Sequence, residues 1–204
     1  MGDCRAEGLR VFTVGHSTRP IEEFLRVLRA HGIDCLVDVR SYPQSRRHPH
    51  FERESLRASL EGAGIRYTWM KALGGRRRLK GSKVKASGKG HPSDESAPGA
   101  SLHSGIPSEG FRAYIEHLAT PQASQAIDRI VALARMSRVA LMCAERNFRL
   151  CHRQFLADRL KSLGAKVFHI EDVSPPEEHT CHPSLQVRGG DLRYPPKEME
   201  LPLV

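Results

Sequence analysis

Short apolar runs alternate with amphipathic segments along most of the chain. The runs are five or six residues long and rich in β-branched and aromatic side chains, a pattern that predicts buried strands. They lie at residues 9–14, 35–39, 139–143 and 166–170, and a further strand is predicted at 65–70, where apolar and polar residues alternate. Between them, apolar residues recur at helical spacing in segments that begin at Pro20, near residue 52, near residue 108, near residue 121 and at Cys151.

Strands that alternate with helices need crossover connections, which favour a parallel sheet covered on both faces. The sequence therefore predicts a three-layer α/β fold: a roughly five-stranded, mainly parallel sheet with helices on both faces. Residues 1–172 are expected to form this single domain. In folds of this type, ligands bind at the carboxyl ends of the strands. The residues that follow each strand are therefore the first candidates for a site.

Two segments depart from the alternating pattern. Residues 76–107 are predicted to form a basic loop insertion, since RRRLKGSKVKASGKG at 76–90 holds seven Lys or Arg and no acidic residue. A loop of this length inside a domain is usually functional or disordered, and we expect a mobile basic arm. Residues 173–204 hold six of the thirteen prolines and are predicted to form an extended tail.

The chain carries an excess of positive charge. It has 32 Lys and Arg against 23 Asp and Glu, a net charge of +9, which favours a nucleic acid or a phosphorylated small molecule as partner. No apolar run approaches the roughly 18 residues of a membrane span, so no membrane partner is expected. The N-terminus lacks the apolar core of a secretory signal, which predicts a cytoplasmic location. The oligomeric state is left open by the sequence.

Polar or titratable side chains follow the predicted strands. The candidates are His16 and Ser17 after the first strand, Asp38, Arg40 and Ser45 after the second, Gly74, Gly75 and Arg76 after the third, and Glu145, Cys151, His152 and Arg153 after the fourth. Asp38 has an alternative role, because it could cap a helix or pair with Arg40. Cys143 continues the apolar face of its strand and is expected to pack behind Glu145.

Several of these residues belong to motifs that resemble one family. The motifs are GHST at 15–18, LVDVRSYPQS at 36–45, PHF at 49–51, LGG at 73–75, and LMCAE with CHR at 141–153. Together they resemble the bacterial and archaeal domain-of-unknown-function 488 family, from about residue 11 to residue 171. The resemblance implies an α/β fold of the kind predicted above, whereas the activity of the family is unsettled.

The cysteines and histidines allow two chemistries. Cys143, Cys151 and His152 could bind zinc with help from the HTCH segment, which contains His179, Cys181 and His182. However, the seven residues between Cys143 and Cys151 exceed the spacing of the usual zinc knuckle. Alternatively, Cys151 could be a catalytic thiolate, because it begins a helix beside His152 and Arg153. No Cys-x-x-Cys pair supports redox exchange.

A third chemistry, which we favour, uses carboxylates beside an anion pocket. The helix N-terminus near Cys151 can bind an anion, with Arg40 and Arg153 as clamps. Glu145 and Asp38 would serve as nucleophile or general base, with His16 as proton shuttle.

The sequence thus predicts an enzyme that acts on a nucleotide or nucleic-acid-type substrate. The predicted reaction is hydrolysis or transfer at a glycosidic or phosphate bond, with no cofactor and no metal. A non-catalytic nucleic-acid or nucleotide binding protein, and a Cys/His thiol or metal site, stay as alternatives.

Overall fold

The computed structural model of this chain describes residues 8–77 and 102–196. A six-stranded sheet lies at its centre, with strand order β3-β2-β4-β1-β5-β6. The first five strands in this order are mutually parallel, and β6 pairs antiparallel to β5. The strands are β1 (Arg10–Gly15), β2 (Cys35–Asp38), β3 (Arg66–Trp69), β4 (Val139–Cys143), β5 (Lys166–Ile170) and β6 (Glu177–Glu178). All five predicted strands are confirmed, and the parallel sheet with them.

Five α-helices connect these strands in the described part of the chain. They are α1 (Ile21–Ala30), α2 (Arg53–Gly62), α3 (Glu109–Leu118), α4 (Pro121–Met136) and α5 (Arg153–Ser162). Helices α3 and α4 begin after the hydroxyl caps Ser108 and Thr120, whose side chains accept hydrogen bonds from backbone N–H groups in the first turn. Within the described residues, no helix has both the length and the apolar character needed to cross a bilayer.

The helices cover both faces of the sheet, which confirms the predicted three layers. Alternate residues of β1 face opposite ways: Val11 packs in the core beneath α3, α4 and α5, whereas Phe12 packs in the core beneath α1 and α2. Such burial on both faces explains why the central strands are continuous apolar runs. It also leaves the carboxyl edge of the sheet as the place where polar side chains gather.

Residues 173–196 differ from the extended tail that the prolines suggested. Strand β6 joins the sheet, and a hairpin of β7 (Gln186–Arg188) and β8 (Asp191–Arg193) follows. Tyr194 is fully buried against the helical layer that contains α5. The segment packs through single, unevenly spaced side chains, which leave no periodic signal in the sequence. The predicted basic insertion lies largely outside the described residues, since residues 78–101 are not among them.

Candidate functional site

Two cavities lie at the carboxyl edge of the sheet, where the candidates were expected. The larger has a volume of about 590 Å³ and the smaller about 490 Å³. They share the lining residues His16, Ser45, Arg46, Ala144 and Glu145. We refer to the two cavities together as the cleft. Each has the size of a typical small-molecule site.

Most of the predicted site residues line this cleft. The larger cavity is lined by eight of them: His16, Arg40, Ser45, Gly75, Arg76, Glu145, Cys151 and His152. Ser17 lines the smaller cavity. Three predicted residues do not line either cavity: Asp38, Gly74 and Arg153. The side chains that follow β1, β2, β3 and β4 are therefore brought together, as the carboxyl-edge rule predicts.

Asp38 is a buried partner of Arg40. The Nε and Nη2 atoms of Arg40 donate to the two carboxylate oxygens of Asp38 at 2.9 and 2.6 Å, and the hydroxyl of Tyr67 donates to the same carboxylate at 2.8 Å. Asp38 is fully buried. Its oxygens are thus occupied by protein donors, so we assign it the pairing role that was the alternative, in place of a reacting carboxylate.

His16 is held as a neutral acceptor. Its Nδ1 lies 2.8 Å from the carbonyl oxygen of Ser17, which requires the proton on Nδ1, so Nε2 accepts from Nη1 of Arg40 at 3.3 Å. The ring stacks on Phe51. Burial, together with the charge of Arg40, lowers the pKa of His16 from 6.5 to about 3. His16 is thus neutral and hydrogen-bonded at both ring nitrogens. It positions Arg40 and does not fit the role of proton shuttle that the sequence suggested.

Arg40 is also fully engaged within the protein. Besides Asp38 and His16, it donates to the carbonyl oxygen of Phe51 at 2.9 Å, and only 5% of its surface is exposed. Together these groups form a rigid wall of the cleft. The charge of Arg40 is therefore paired with that of Asp38, and Arg40 has no free fork for a bidentate clamp on a phosphate.

Arg153 holds the loop that carries Glu145, and it lines neither cavity of the cleft. It is 1% exposed, its Nη2 donates to the carbonyl oxygens of Glu145 and Arg146, and its Nε donates to Sγ of Cys151 at 3.4 Å. The sequence predicted that Arg153 would bind an anionic ligand. In the structure, its guanidinium instead makes structural contacts with the Glu145 loop and with Cys151. Gly15 is required beside this loop, since a Cβ there would lie 2.0 Å from the carbonyl oxygen of Glu145.

Glu145 is exposed in the wall that the two cavities share. Besides Arg40, four arginines line the cleft and give it positive charge. Arg76 lies in the larger cavity, Arg47 and Arg146 in the smaller, and Arg46 in both. Only Arg76 was predicted. The others occur in SRRH and AERN, which adjoin the family-like motifs in the sequence.

Cys143, Cys151 and His152 form a compact group on the floor of the larger cavity. The two Sγ atoms lie 3.8 and 3.5 Å from Nδ1 of His152, and all three residues are buried. Neither cysteine is in a disulfide. A hydrogen bond from the Cys143 thiol, with His152 and Arg153 nearby, lowers the pKa of Cys151, and the same hydrogen bond and burial raise the pKa of Cys143. Cys143 thus lines the larger cavity, whereas the sequence predicted that it would pack behind Glu145.

The two adjacent glycines of the LGG motif allow backbone to approach this floor. A Cβ on Gly75 would lie 2.3 Å from Nδ1 of His152, and a Cβ on Gly74 would lie 2.5 Å from Oγ of Ser41. Because contacts this short require a neighbour to move, both positions need glycine. Gly74 therefore acts by close packing behind the cleft, whereas Gly75 lies at the cleft surface.

The HTCH segment forms a separate group and does not complete a shell around Cys143 and Cys151. His179 and Cys181 cluster with Asp158. Asp158 accepts hydrogen bonds from Nε2 of His179 at 2.9 Å and from the hydroxyl of Tyr194 at 2.8 Å. The backbone N–H of His182 also donates to Asp158, at 3.2 Å.

A family model described as domain of unknown function DUF488 matches residues 20–160. The match covers the motifs of the cleft from Asp38 to Arg153 and confirms the resemblance that the sequence motifs indicated. Neither the comparison with curated proteins nor the comparison with solved structures found a match.

Proposed function

The chain belongs to the DUF488 family, a family of unknown function. From the residues that line the cleft, we propose that the protein is a hydrolase or transferase that acts on an anionic, nucleotide-type substrate. The substrate is a nucleic acid or a phosphorylated small molecule, and the bond attacked is a glycosidic or a phosphate bond. The predicted cytoplasmic location stays a prediction.

One observation carries this proposal. Glu145 is the exposed carboxylate in the wall shared by the two cavities, and Arg46, Arg47, Arg76 and Arg146 line the same cleft. Arginine is the side chain best suited to phosphate, because its planar guanidinium can donate two parallel hydrogen bonds. A phosphate bound by arginines in one cavity would place the adjoining part of the substrate beside Glu145.

The chemistry of Glu145 follows from this position. As a general base, its carboxylate would take a proton from a water molecule or an acceptor hydroxyl. The oxygen so activated would form the new bond to the reacting carbon or phosphorus atom, and the leaving group would depart with the bonding electron pair. Asp38 and His16 act indirectly in this scheme, because they fix Arg40 in the cavity wall.

The basic composition supports a nucleotide-type substrate. The residues from 76 to 90 add seven positive charges directly after the Gly75 edge of the cleft in sequence. Lys and Arg without interleaved aromatic or amide side chains suit contacts with phosphate, which carry affinity but little sequence recognition.

The test compares Glu145→Gln with Arg46→Ala and Arg146→Ala in the full chain. Fluorescent nucleoside mono- and triphosphates and short oligonucleotides serve as probes, and turnover of each is followed by product separation. Glu145→Gln should abolish turnover and change affinity by less than about tenfold, which corresponds to about 1.4 kcal/mol. The arginine variants should lose affinity first and show a shallower dependence of affinity on salt.

Matched controls are Glu178→Gln and Arg188→Ala, exposed residues of β6 and β7 that lie outside the cleft. Neither control should alter binding or turnover. If the arginine variants lose affinity but the wild-type protein turns over none of the probes, the protein is a non-catalytic nucleic-acid or nucleotide binding protein. If no probe binds at low salt, the proposed substrate class is wrong.

A further inference from the structure

The floor of the larger cavity contains one imidazole nitrogen between two thiols, and this group is not used in the proposed function. Sγ of Cys143 and Sγ of Cys151 lie 3.8 and 3.5 Å from Nδ1 of His152. We propose that Cys143, Cys151 and His152 bind a divalent transition-metal ion, zinc by the nature of the donors, with an open coordination position that faces the cavity. The proposal rests on the geometry of these three side chains and is independent of Glu145.

The distances fit a tetrahedral ion. Zinc binds thiolate sulfur at about 2.3 Å and imidazole nitrogen at about 2.0–2.1 Å, so two such ligands at a tetrahedral angle lie about 3.5–3.6 Å apart. The observed separations of 3.5 and 3.8 Å match this value to within a few tenths of an ångström. All three donor atoms lie within 4.8 Å of one another. Little movement is therefore needed to place an ion between them.

His152 is oriented as a metal ligand requires. Its Nε2 lies 3.1 Å from the carbonyl oxygen of Val39, which places the proton on Nε2 and leaves the lone pair of Nδ1 toward the two sulfur atoms. Metal-binding histidines characteristically donate their other ring N–H to a carbonyl or carboxylate in this way. Nε of Arg153 donates to Sγ of Cys151, which would balance part of the thiolate charge.

The hydrogen bonds of this group join candidate ligands to one another. Both sulfur atoms lie within reach of Nδ1 of His152, and the Cys143 thiol donates to Cys151. An ion would satisfy both sulfur atoms and the nitrogen together. The second group, around Asp158, differs because its histidine is paired outside the group: Nδ1 of His179 accepts from His169, and Nε2 donates to Asp158. We therefore assign the metal to the first group.

Three protein ligands at a cavity surface leave room for a fourth, exchangeable ligand. All three residues line the larger cavity. Catalytic zinc sites keep such an open position for water or substrate, whereas structural sites use four protein ligands. A bound ion here would polarise a substrate oxygen or lower the pKa of a bound water molecule.

The experiment uses untagged, reduced full chain that has been stripped of metal with a chelator and titrated with Zn²⁺ and, separately, with Co²⁺. One equivalent should bind, and the Co²⁺ form should show a thiolate-to-metal charge-transfer band with the visible absorption of a tetrahedral site. Cys143→Ser, Cys151→Ser and His152→Ala should each lower the affinity by more than about 100-fold, beyond the effect of losing an outer contact. Cys35→Ser and Cys181→Ser are the controls and should bind as wild type does.

A second measurement works without variants, in case these fold poorly. Iodoacetamide labelling of the wild-type chain, mapped by mass spectrometry, should slow at Cys143 and Cys151 when Zn²⁺ is present and stay unchanged at Cys181. Absence of Co²⁺ charge transfer, labelling that Zn²⁺ does not slow, or binding lost in Cys181→Ser but kept in Cys151→Ser would each overturn the proposal. Binding is measured on Glu145→Gln as well, so that failure of the metal site and failure of the proposed function stay separate.

Discussion

Nε2 of His169 lies 2.9 Å from Nδ1 of His179, and this hydrogen bond ties β5 to the C-terminal segment. Nε2 of His179 donates to Asp158, so its Nδ1 accepts from His169. Nδ1 of His169 must then accept from the hydroxyl of Thr13 at 2.7 Å. Nη1 of Arg153 donates to that hydroxyl at 3.4 Å. A directed chain of hydrogen bonds therefore runs through the buried interior from Arg153 to Asp158.

The chain of hydrogen bonds predicts that the C-terminal segment stabilises the fold. Tyr194→Phe removes a hydrogen bond to the buried carboxylate of Asp158 and should lower the free energy of unfolding by about 1.5–3 kcal/mol, the usual range for a hydrogen bond to a charged group. Asp158→Asn should cost more, because several donors converge on this carboxylate. Urea unfolding followed by circular dichroism measures both. Asp128→Asn on the exposed side of α4 is the control. Equal midpoints for Tyr194→Phe and wild type would contradict the predicted contribution.

Two buried histidines predict how stability depends on pH. Burial lowers the pKa of His16 to about 3, with help from Arg40, and lowers that of His169 to about 2, with help from His179. At pH values between these lowered pKa values and 6.5, the two histidines are protonated in the unfolded chain but neutral in the folded chain. Stability should therefore fall as the pH drops below about 6.5, by about 1.4 kcal/mol per pH unit for each histidine.

His16→Gln tests this dependence, since glutamine stays neutral and can still accept from Arg40. Between pH 6 and pH 4, the slope of the free energy of unfolding against pH should decrease by about 1.4 kcal/mol per unit relative to wild type. The ring protons of His16 in NMR spectra should keep their neutral shifts from pH 8 to pH 4. An inflection near pH 6.5 would show that His16 titrates freely and would restore it as a candidate proton shuttle.

Asp38→Asn distinguishes a positioning residue from a reacting one. The substitution leaves the buried guanidinium of Arg40 without its counter-charge, and breaking such a pair typically costs about 3–5 kcal/mol. We expect a loss of that order in the free energy of unfolding, measured in urea. Glu61→Gln, which breaks the solvent-exposed pair with Arg57 on α2, is the control and should leave the urea midpoint close to that of wild type. Unchanged stability together with lost turnover would return Asp38 to a catalytic role.

The sequence was sufficient for the parallel part of the sheet and for the position of the cleft. Short apolar runs identified β1, β2, β4 and β5, because strands covered on both faces leave a largely apolar pattern. The edge strand β3 was identified by its alternation of apolar and polar residues. The carboxyl edge of a parallel sheet then collects the residues that follow the strands. This rule brought Glu145 and His152, which the sequence places after β4, into one cleft with Gly75, which follows β3.

The directions of individual side chains could not be predicted in the same way. Asp38 and Arg153 carry the charges expected of a site, yet both are buried, and they pair with Arg40 and with the carbonyl oxygen of Glu145. Which way a strand-end side chain turns depends on partners that are distant in sequence, and spacing alone does not reveal them. The packing of Tyr194 was missed for the same reason, since an isolated aromatic residue among prolines has no period.

The contact between Gly75 and His152 gives a final prediction that links the LGG motif to the floor of the cleft. A Cβ at position 75 would lie 2.3 Å from Nδ1 and 2.4 Å from Cγ of His152, so Gly75→Ala must displace the imidazole or the loop. Overpacking of this kind costs about 1–3 kcal/mol in the free energy of unfolding. Because the ring would also leave the two sulfur atoms, Co²⁺ affinity should fall by at least about tenfold. Gly62→Ala is the matched control: a Cβ there meets nothing within 4 Å, and alanine favours the helix end. If Gly75→Ala unfolds at the wild-type urea concentration and binds Co²⁺ with wild-type affinity, then Gly75 does not hold His152 in place, and the motif must be explained by Gly74 and Ser41 alone.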